Sequence, residues 1–545
     1  MDLAGSALDY IITFVERNWL FVAAVVAAIA IPWRLPRLRV QLPDRVVCIT
    51  VISLSLLVSI GASALHGVPL PRFHDDFSYL LSADLIAHGR AADPPHALWP
   101  HFETMHVLQQ PRYASKFPPG QGIILALGRL LFRLPLAGAW LICAAACAAL
   151  WWALRVWISP QWAMLGGIAA AIHPTMLRWS ETYHGGGLAA LGGALLVGAT
   201  GRLIQAPSWR ASAIAGLALA LLVISRPYEG LVFAVAMLAI VLIAGNLRAT
   251  IAAAPAGLLV IVIALAMLGL YNRSITGSAT TLPYSVYERQ YDPVPNFLWE
   301  QPRPMPKYRN PEMAYVYRVA YWGHYRRLRE PGGLSAEVLK KIDVIRFTLF
   351  GTPTKPFDSA WLLLPLPLIA LPRALRRNAT ARMLSLALVI FAFAPFSITW
   401  WLEMHYLAPA AAAAAGLIVL LISELYLLWP KRGTGEALAT MVLLAFLANA
   451  AAQWIAFVRT PDSGFEPLRQ RMAASLIAKG GQHLVVVMPE VFDAVYNGAD
   501  IDHQPIVWAR DLGGDSAARL RAYFRNRTMW RLTRRDDVTV LEALR

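Results

Sequence analysis

Asp75 and Asp76 stand side by side in Phe73-His74-Asp75-Asp76-Phe77-Ser78-Tyr79, just past an apolar run. Neighbouring carboxylates are costly at the edge of hydrocarbon, so their presence there points to function. A carboxylate in such a place can act as general base toward a hydroxyl or amine acceptor, or hold a divalent cation. In a helix Asp76 and Tyr79 share a face at i, i+3, while Asp75 points about 100° away. The pair can therefore divide its labour, one Asp capping the helix through Tyr79–His88 while the other does chemistry.

Lys116 opens Lys116-Phe-Pro-Pro-Gly120, where the prolines fix the entry of a helix. It is placed to meet a phosphate at the membrane surface, or to snorkel from a helix end. Glu181, Tyr183 and His184 precede three glycines, which admit a ligand or a close helix. Glu181 and His184 have the i, i+3 spacing of a metal pair or an acid–base pair. His405-Tyr406 follows Trp400-Trp401-Leu-Glu403 and begins a span, as a ligand or as part of an aromatic belt. Arg226, Arg178 and Arg273 lie at span ends at similar depth, where converging guanidinium groups suit a phosphate or pyrophosphate. The candidate cofactor is a divalent metal ion, with Asp76, His184 and His405 as its ligands.

The elements that must position these residues are membrane helices. Of 545 residues, 57% are hydrophobic and 15% charged, against about 25% charged in soluble domains. Apolar runs near the length that crosses hydrocarbon recur along the chain. Spans are expected at about 18–33, 46–66, 136–157, 161–177, 187–205, 211–225, 229–245, 250–270, 358–372, 382–402, 406–429 and 436–457. The apolar run after Pro119, broken by Arg129 and Arg133, reads as an interfacial or re-entrant helix. That choice puts Arg155, Arg202, Arg210 and Arg248 inside and the candidate site outside. The basic cluster after the first apolar run suits an uncleaved anchor with its N-terminus outside.

The fold class is thus all-α and polytopic, about twelve transmembrane helices with loop helices and a small C-terminal α/β domain. The divisions are 1–66, two helices; 67–135, a first outer loop; 136–270, a transmembrane core; 271–357, a large outer loop; 358–459, further helices; and 460–545, the α/β domain. In that domain Glu466–Lys479 has helical periodicity, and His483–Met488, Pro505–Arg510 and Val538–Leu541 read as strands. The net charge of +16 follows from arginines in short inner loops, with a minority free to serve anionic lipid. No basic stripe interleaved with aromatics indicates a nucleic-acid partner. The three cysteines lie in apolar runs and form no disulfide framework. No Walker A loop, HExxH, GxSxG or paired CxxC occurs, which removes support for ATP-driven transport, zinc proteolysis and thiol chemistry.

Together, Asp75-Asp76-Phe-Ser-Tyr79, Lys116-Phe-Pro-Pro119 and His405-Tyr406-Leu-Ala-Pro409 resemble motifs of the GT-C glycosyltransferases, specifically the protein O-mannosyltransferase and lipid A aminoarabinose transferase superfamily. Glu181–His184 parallels that family's polar turn. The resemblance implies a sugar donor on a polyprenyl phosphate, entering from the bilayer, and a glycan, lipid or protein acceptor. It implies Asp75 as base, Lys116 on the donor phosphate and inversion at the anomeric carbon. It also implies a bacterial inner membrane with the site facing the periplasm. The glutamate usual before Lys-x-Pro-Pro is Ser115 here, which removes a metal ligand used by some relatives; His74, Glu103, His184 or His405 are candidates to replace it. The rival readings are a transporter or flippase for lipid-linked sugars, which calls for charges deep in several spans, and a non-catalytic scaffold subunit.

Overall fold

The computed structural model of the chain describes residues 26–27, 42–353, 361–430, 433–462, 465–536 and 538–544. The expected first span, and with it the reading of the N-terminal anchor, lies outside these except for two residues. Among the described residues, eight helices are long and apolar enough to cross a membrane: Asp44–His66, Pro135–Trp157, Gly187–Gln205, Pro227–Ala244, Leu247–Thr276, Ala379–Ser397, Met404–Tyr426 and Thr434–Arg459. The chain is a multi-pass membrane protein. Leu247–Thr276 leaves Leu258, Leu259, Val262 and Met267 largely exposed, as a lipid-facing helix would.

Three expected spans differ from the helices observed. The run at 161–177 is two pieces, Pro160–Ala171 and Pro174–Ser180, because Pro174 disfavours helical backbone at His173. The run at 211–225 forms a helix of 15 residues, Trp209–Val223. Within 358–372 the described residues make a 3₁₀ turn, Leu366–Ala370, and the start of the short helix Leu371–Arg377.

Four helices frame the site: α1 (Asp44–His66), α2 (His74–Ala87), α3 (Pro119–Phe132) and α4 (Pro135–Trp157). Asp44 pairs with Arg155, while Ser63 and Trp140 both bond Glu181, so α1 and α4 run antiparallel with His66 and Pro135 at one end. Both ends of α3 lie at that same end. Its last turn leads directly to Pro135, and the N–H of Gly120 in its first turn donates to Ile224 O at 2.9 Å, beside Arg226. Ile123, Leu127, Leu130 and Leu131 on α3 are exposed, which fits a helix lying at an interface rather than crossing.

A two-residue antiparallel ladder, β1 (Val107–Leu108) with β2 (Ala114–Ser115), crosses the first loop. After the last long helix come Glu466–Lys479 and a four-stranded mixed sheet, ordered β4-β3-β5-β6, of β3 (His483–Val487), β4 (Ile506–Arg510), β5 (Thr528–Arg535) and β6 (Val538–Ala543). β3 is parallel to both neighbours and β6 antiparallel to β5. The sequence pattern contains three of these strands; β5 is additional. The sheet packs on the first loop. Leu81 and Leu85 of α2, Phe102, Val107 and Tyr113 share one buried cluster with Leu484, Val486, Val507 and Ala509.

Candidate active site

Helix α2 begins where Asp76 folds back on it. Asp76 Oδ2 accepts from the backbone N–H groups of Arg72 at 2.9 Å and Phe73 at 3.2 Å, satisfying donors that a helix start leaves open. Its Oδ1 lies 2.8 Å from His184 Nδ1. Burial alone would raise the Asp76 carboxyl, but the imidazole and the two amides outweigh it and hold it below the usual range. His184 is reciprocally raised: burial opposes its charge, and Asp76 more than compensates.

Asp75, one position earlier, faces the other way. Its side chain is 40% exposed, and Oδ1 is 3.8 Å from His106 Nε2, too far for a hydrogen bond. Burial, Lys116 and His74 hold His106 well below its ordinary pKa, so this contact joins a carboxylate to a neutral ring. Among the described residues no hydrogen bond engages the Asp75 carboxylate.

Lys116 follows β2, and its N–H donates to His106 O at 3.1 Å across the ladder. Ser78 on α2 donates to the same carbonyl at 2.6 Å, and its hydroxyl lies 2.7 Å from that of Ser115. These bonds fix Lys116 relative to Asp75. The Lys116 ammonium lies 4.4, 4.9 and 5.2 Å from the rings of Tyr284, Tyr287 and Phe117, a favourable setting for a cation. Burial lowers its pKa, and Glu288, Asp75 and Asp292 offset this only partly. Tyr79 stacks on Phe117 at 4.5 Å.

Arg226 also lies in this neighbourhood, its guanidinium 4.5 Å from the Tyr406 ring. Burial works against its charge, and the surrounding Tyr79, Glu229, Tyr406 and Asp75 more than restore it. The His405 ring is 5.0 Å from that of His184. The structure thus brings Asp75, Asp76, Tyr79, Lys116, His184, Arg226, His405 and Tyr406 into one neighbourhood.

Glu181 goes elsewhere. Its oxygens accept from Ser63 at 2.6 Å and Trp140 at 2.9 Å, so it ties α1 to α4 and makes no pair with His184. The helix Pro174–Ser180 ends just before it, and i, i+3 facing holds only within a helix. Burial raises Glu181 to about 7 against those two bonds. Arg178 reaches Thr352 at 3.5 Å and feels the charge of Arg72, and Arg273 is exposed. Neither makes a hydrogen bond, ion pair or ring contact with the Asp75 neighbourhood.

The expected metal ligands Asp76, His184 and His405 do not form a ligand set. Among the described residues their ligand atoms do not converge within 4.8 Å of one another; the His184 Nδ1 is turned onto Asp76, and His405 meets His184 only ring to ring. Glu103, another substitute weighed, accepts from Tyr291 at 3.0 Å, away from His184. His106, Tyr284, Glu288 and Glu403 are site neighbours beyond the sequence motifs. Glu403 is raised by burial first, against the pull of His184 and Arg226. Its place between Trp401 and His405 is the one signal in the sequence. An apolar cavity of about 320 Å³, lined by Leu150, Trp179, Phe391 and Leu407 among others, opens between the helices and reaches the neighbour of Tyr406 in the chain.

No family model matches the chain, and no curated protein does. Solved structures are similar. ArnT from Cupriavidus metallidurans bound to undecaprenyl phosphate superposes with a TM-score of 0.52 at 14% identity, over 91% of this chain and 97% of that one. Its apo state gives a TM-score of 0.52 at 12% identity over the same shares. An Archaeoglobus fulgidus oligosaccharyltransferase tethered to an acceptor peptide gives 0.49 at 13% identity, over 89% of this chain and 69% of that one. At such identities the likeness is one of fold. The chain has the GT-C architecture, as its short motifs imply.

Proposed function

We propose that this chain is an integral-membrane glycosyltransferase that moves a sugar from a polyprenyl-phosphate donor to a glycan, lipid or protein acceptor with inversion. The observation that carries this reading is Asp75: an accessible carboxylate with no hydrogen bond among the described residues, near two cations that the fold keeps from water, Lys116 buried and Arg226 partly buried. ArnT, a protein of similar fold, binds undecaprenyl phosphate, and the apolar cavity that reaches Leu407, beside Tyr406 in the chain, suits an isoprenoid tail. The arrangement lies at the outer end of α1, facing the periplasm of a bacterial inner membrane. Twelve crossings and the six segments with boundaries at 66, 135, 270, 357 and 459 belong to the same proposal.

In the reaction, Asp75 takes the proton from the acceptor hydroxyl or amine. The freed lone pair attacks the anomeric carbon from the face opposite the phosphate. The carbon–oxygen bond to phosphate breaks, and the phosphate leaves with the electron pair. Lys116 and Arg226 meet the charge that develops on it. Asp76, fixed by amides and His184, holds α2 so that Asp75 keeps its direction.

Purified protein in lipid, given a panel of radiolabelled polyprenyl-phosphate sugars and a membrane-extract acceptor pool, tests the proposal. Transfer by the wild type that collapses in Asp75→Asn supports it. Sugar-lipid crossing the bilayer without transfer overturns it in favour of a transporter.

A further inference from the structure

A second group of side chains converges from three distant segments. His74 opens α2, Glu312 sits on the turn Pro311–Ala314 of the long loop, and Asp493 lies between β3 and β4. One ligand atom from each lies within 4.8 Å of the other two. His74 Nε2 is 3.0 Å from Asp493 Oδ1.

Several features mark this as a built arrangement. His74 Nδ1 contacts the Tyr496 hydroxyl, which orients the ring with Nε2 toward both carboxylates, as the outer partner of a metal-binding imidazole does. Asp493 has φ 59°, in the left-handed region that few non-glycine residues adopt. That turn also lets its N–H donate to Glu312 Oε1 at 3.0 Å. Glu312 is 3% exposed, and Arg510, fully buried, pairs with its other oxygen. Each carboxylate oxygen carries a further lone pair. The Asp493 side chain is 55% exposed, which gives an ion an entry path and room for a water ligand.

We propose that His74, Glu312 and Asp493 bind one divalent transition-metal ion, with Zn²⁺ the best match. One imidazole and two carboxylates suit zinc with water in the fourth position, whereas calcium and magnesium favour all-oxygen sets. The ion joins the start of α2, the long loop and the C-terminal sheet. Asp75 is not among the converging ligands: successive helix residues diverge by about 100°, and although His74 and Asp75 both border His106, only His74 turns toward Glu312 and Asp493. The inference stands independently of the transferase reading.

Full-length protein stripped with a chelator, desalted and titrated with Zn²⁺ in detergent gives the test, read by metal analysis and thermal unfolding. One Zn²⁺ per chain with a raised Tm is expected. Asp493→Asn, an exposed position whose amide still meets His74, is expected to fold and bind Zn²⁺ about tenfold or more weakly. His184→Gln is expected to retain the ion. Co²⁺ substitution is expected to give a tetrahedral absorption spectrum whose titration Asp493→Asn shifts to about tenfold or more higher Co²⁺. No retained Zn²⁺ in the wild type overturns the proposal. So does Zn²⁺ that survives Asp493→Asn and is lost in His184→Gln.

Discussion

His184 Nδ1 and Asp76 Oδ1 meet at 2.8 Å across 108 positions of chain, and this contact divides the Asp pair. Asp76 becomes part of the frame, and Asp75 is left exposed with no hydrogen bond among the described residues.

That division predicts opposite phenotypes for neighbouring substitutions. Asp75→Asn should leave Tm unchanged and lower the transfer rate about 10²–10⁴-fold, the usual loss of a general base. Asp76→Ala should lower stability by about 2 kcal/mol or more, by removing a helix cap and stranding a buried partner. Thermal unfolding beside a transfer assay separates the two.

Lys116→Met should reduce kcat/KM roughly 10²-fold or more, with the loss concentrated in kcat if the ammonium stabilises the departing phosphate. Lys116→Arg should not restore it. Tyr284, Tyr287 and Phe117 enclose a compact ammonium, and a planar guanidinium has a different shape and reach. Steady-state kinetics with a saturating acceptor checks both.

Glu181 gives a pH signature. Its carboxyl rises from 4.5 to about 7 on folding, so the folded protein holds a proton that the unfolded chain releases. The stability it contributes is complete below pH 4.5 and is lost as pH rises through 7. Glu181→Gln stays uncharged and keeps an acceptor for Trp140. Its Tm should fall less than that of the wild type between pH 5 and pH 8.

Gly186→Ala should be severe. Gly186 has φ 131°, and a methyl group there would come within 2.4 Å of the Trp179 ring. Backbone strain of this kind costs roughly 1–3 kcal/mol before any clash is counted. Because Gly186 lies two residues after His184, the variant should also lose transfer activity, seen in the same assay.

The sequence exposed what is local. Asp75, Asp76, Tyr79 and Lys116 sit in short stretches whose spacing and prolines announce them, and the structure gathers them. Arg226 and His405-Tyr406 were legible as span ends. Glu181 misled because its i, i+3 relation to His184 needs a helix that stops at Ser180. Arg178 and Arg273 shared an expected depth with Arg226, but depth says nothing of direction around a helix. Strand β5 was hidden by Arg531, Arg534 and Arg535, which interrupt its apolar alternation; pairing on both sides stabilises it instead. His106 carries no signal beyond its type, and its role follows from a ladder of two residues on each side. The meeting of His74, Glu312 and Asp493 depends on separations that no local pattern encodes.

The C-terminal sheet completes the core of α2, and this has a consequence in time. Asp84 on α2 accepts from the N–H of Ala499 at 2.8 Å, a partner 415 positions later. At roughly 5–20 residues per second, the ribosome makes Asp84 roughly 20–80 s before it makes Ala499. Throughout that interval Leu81 and Leu85 have no sheet to cover them. Asp75 thus belongs to a segment that is made early and packed last. A nascent chain halted between Arg459 and His483 carries all eight of the described membrane helices yet lacks the sheet that covers Leu81 and Leu85, so the last strands set the moment at which α2 is fully packed.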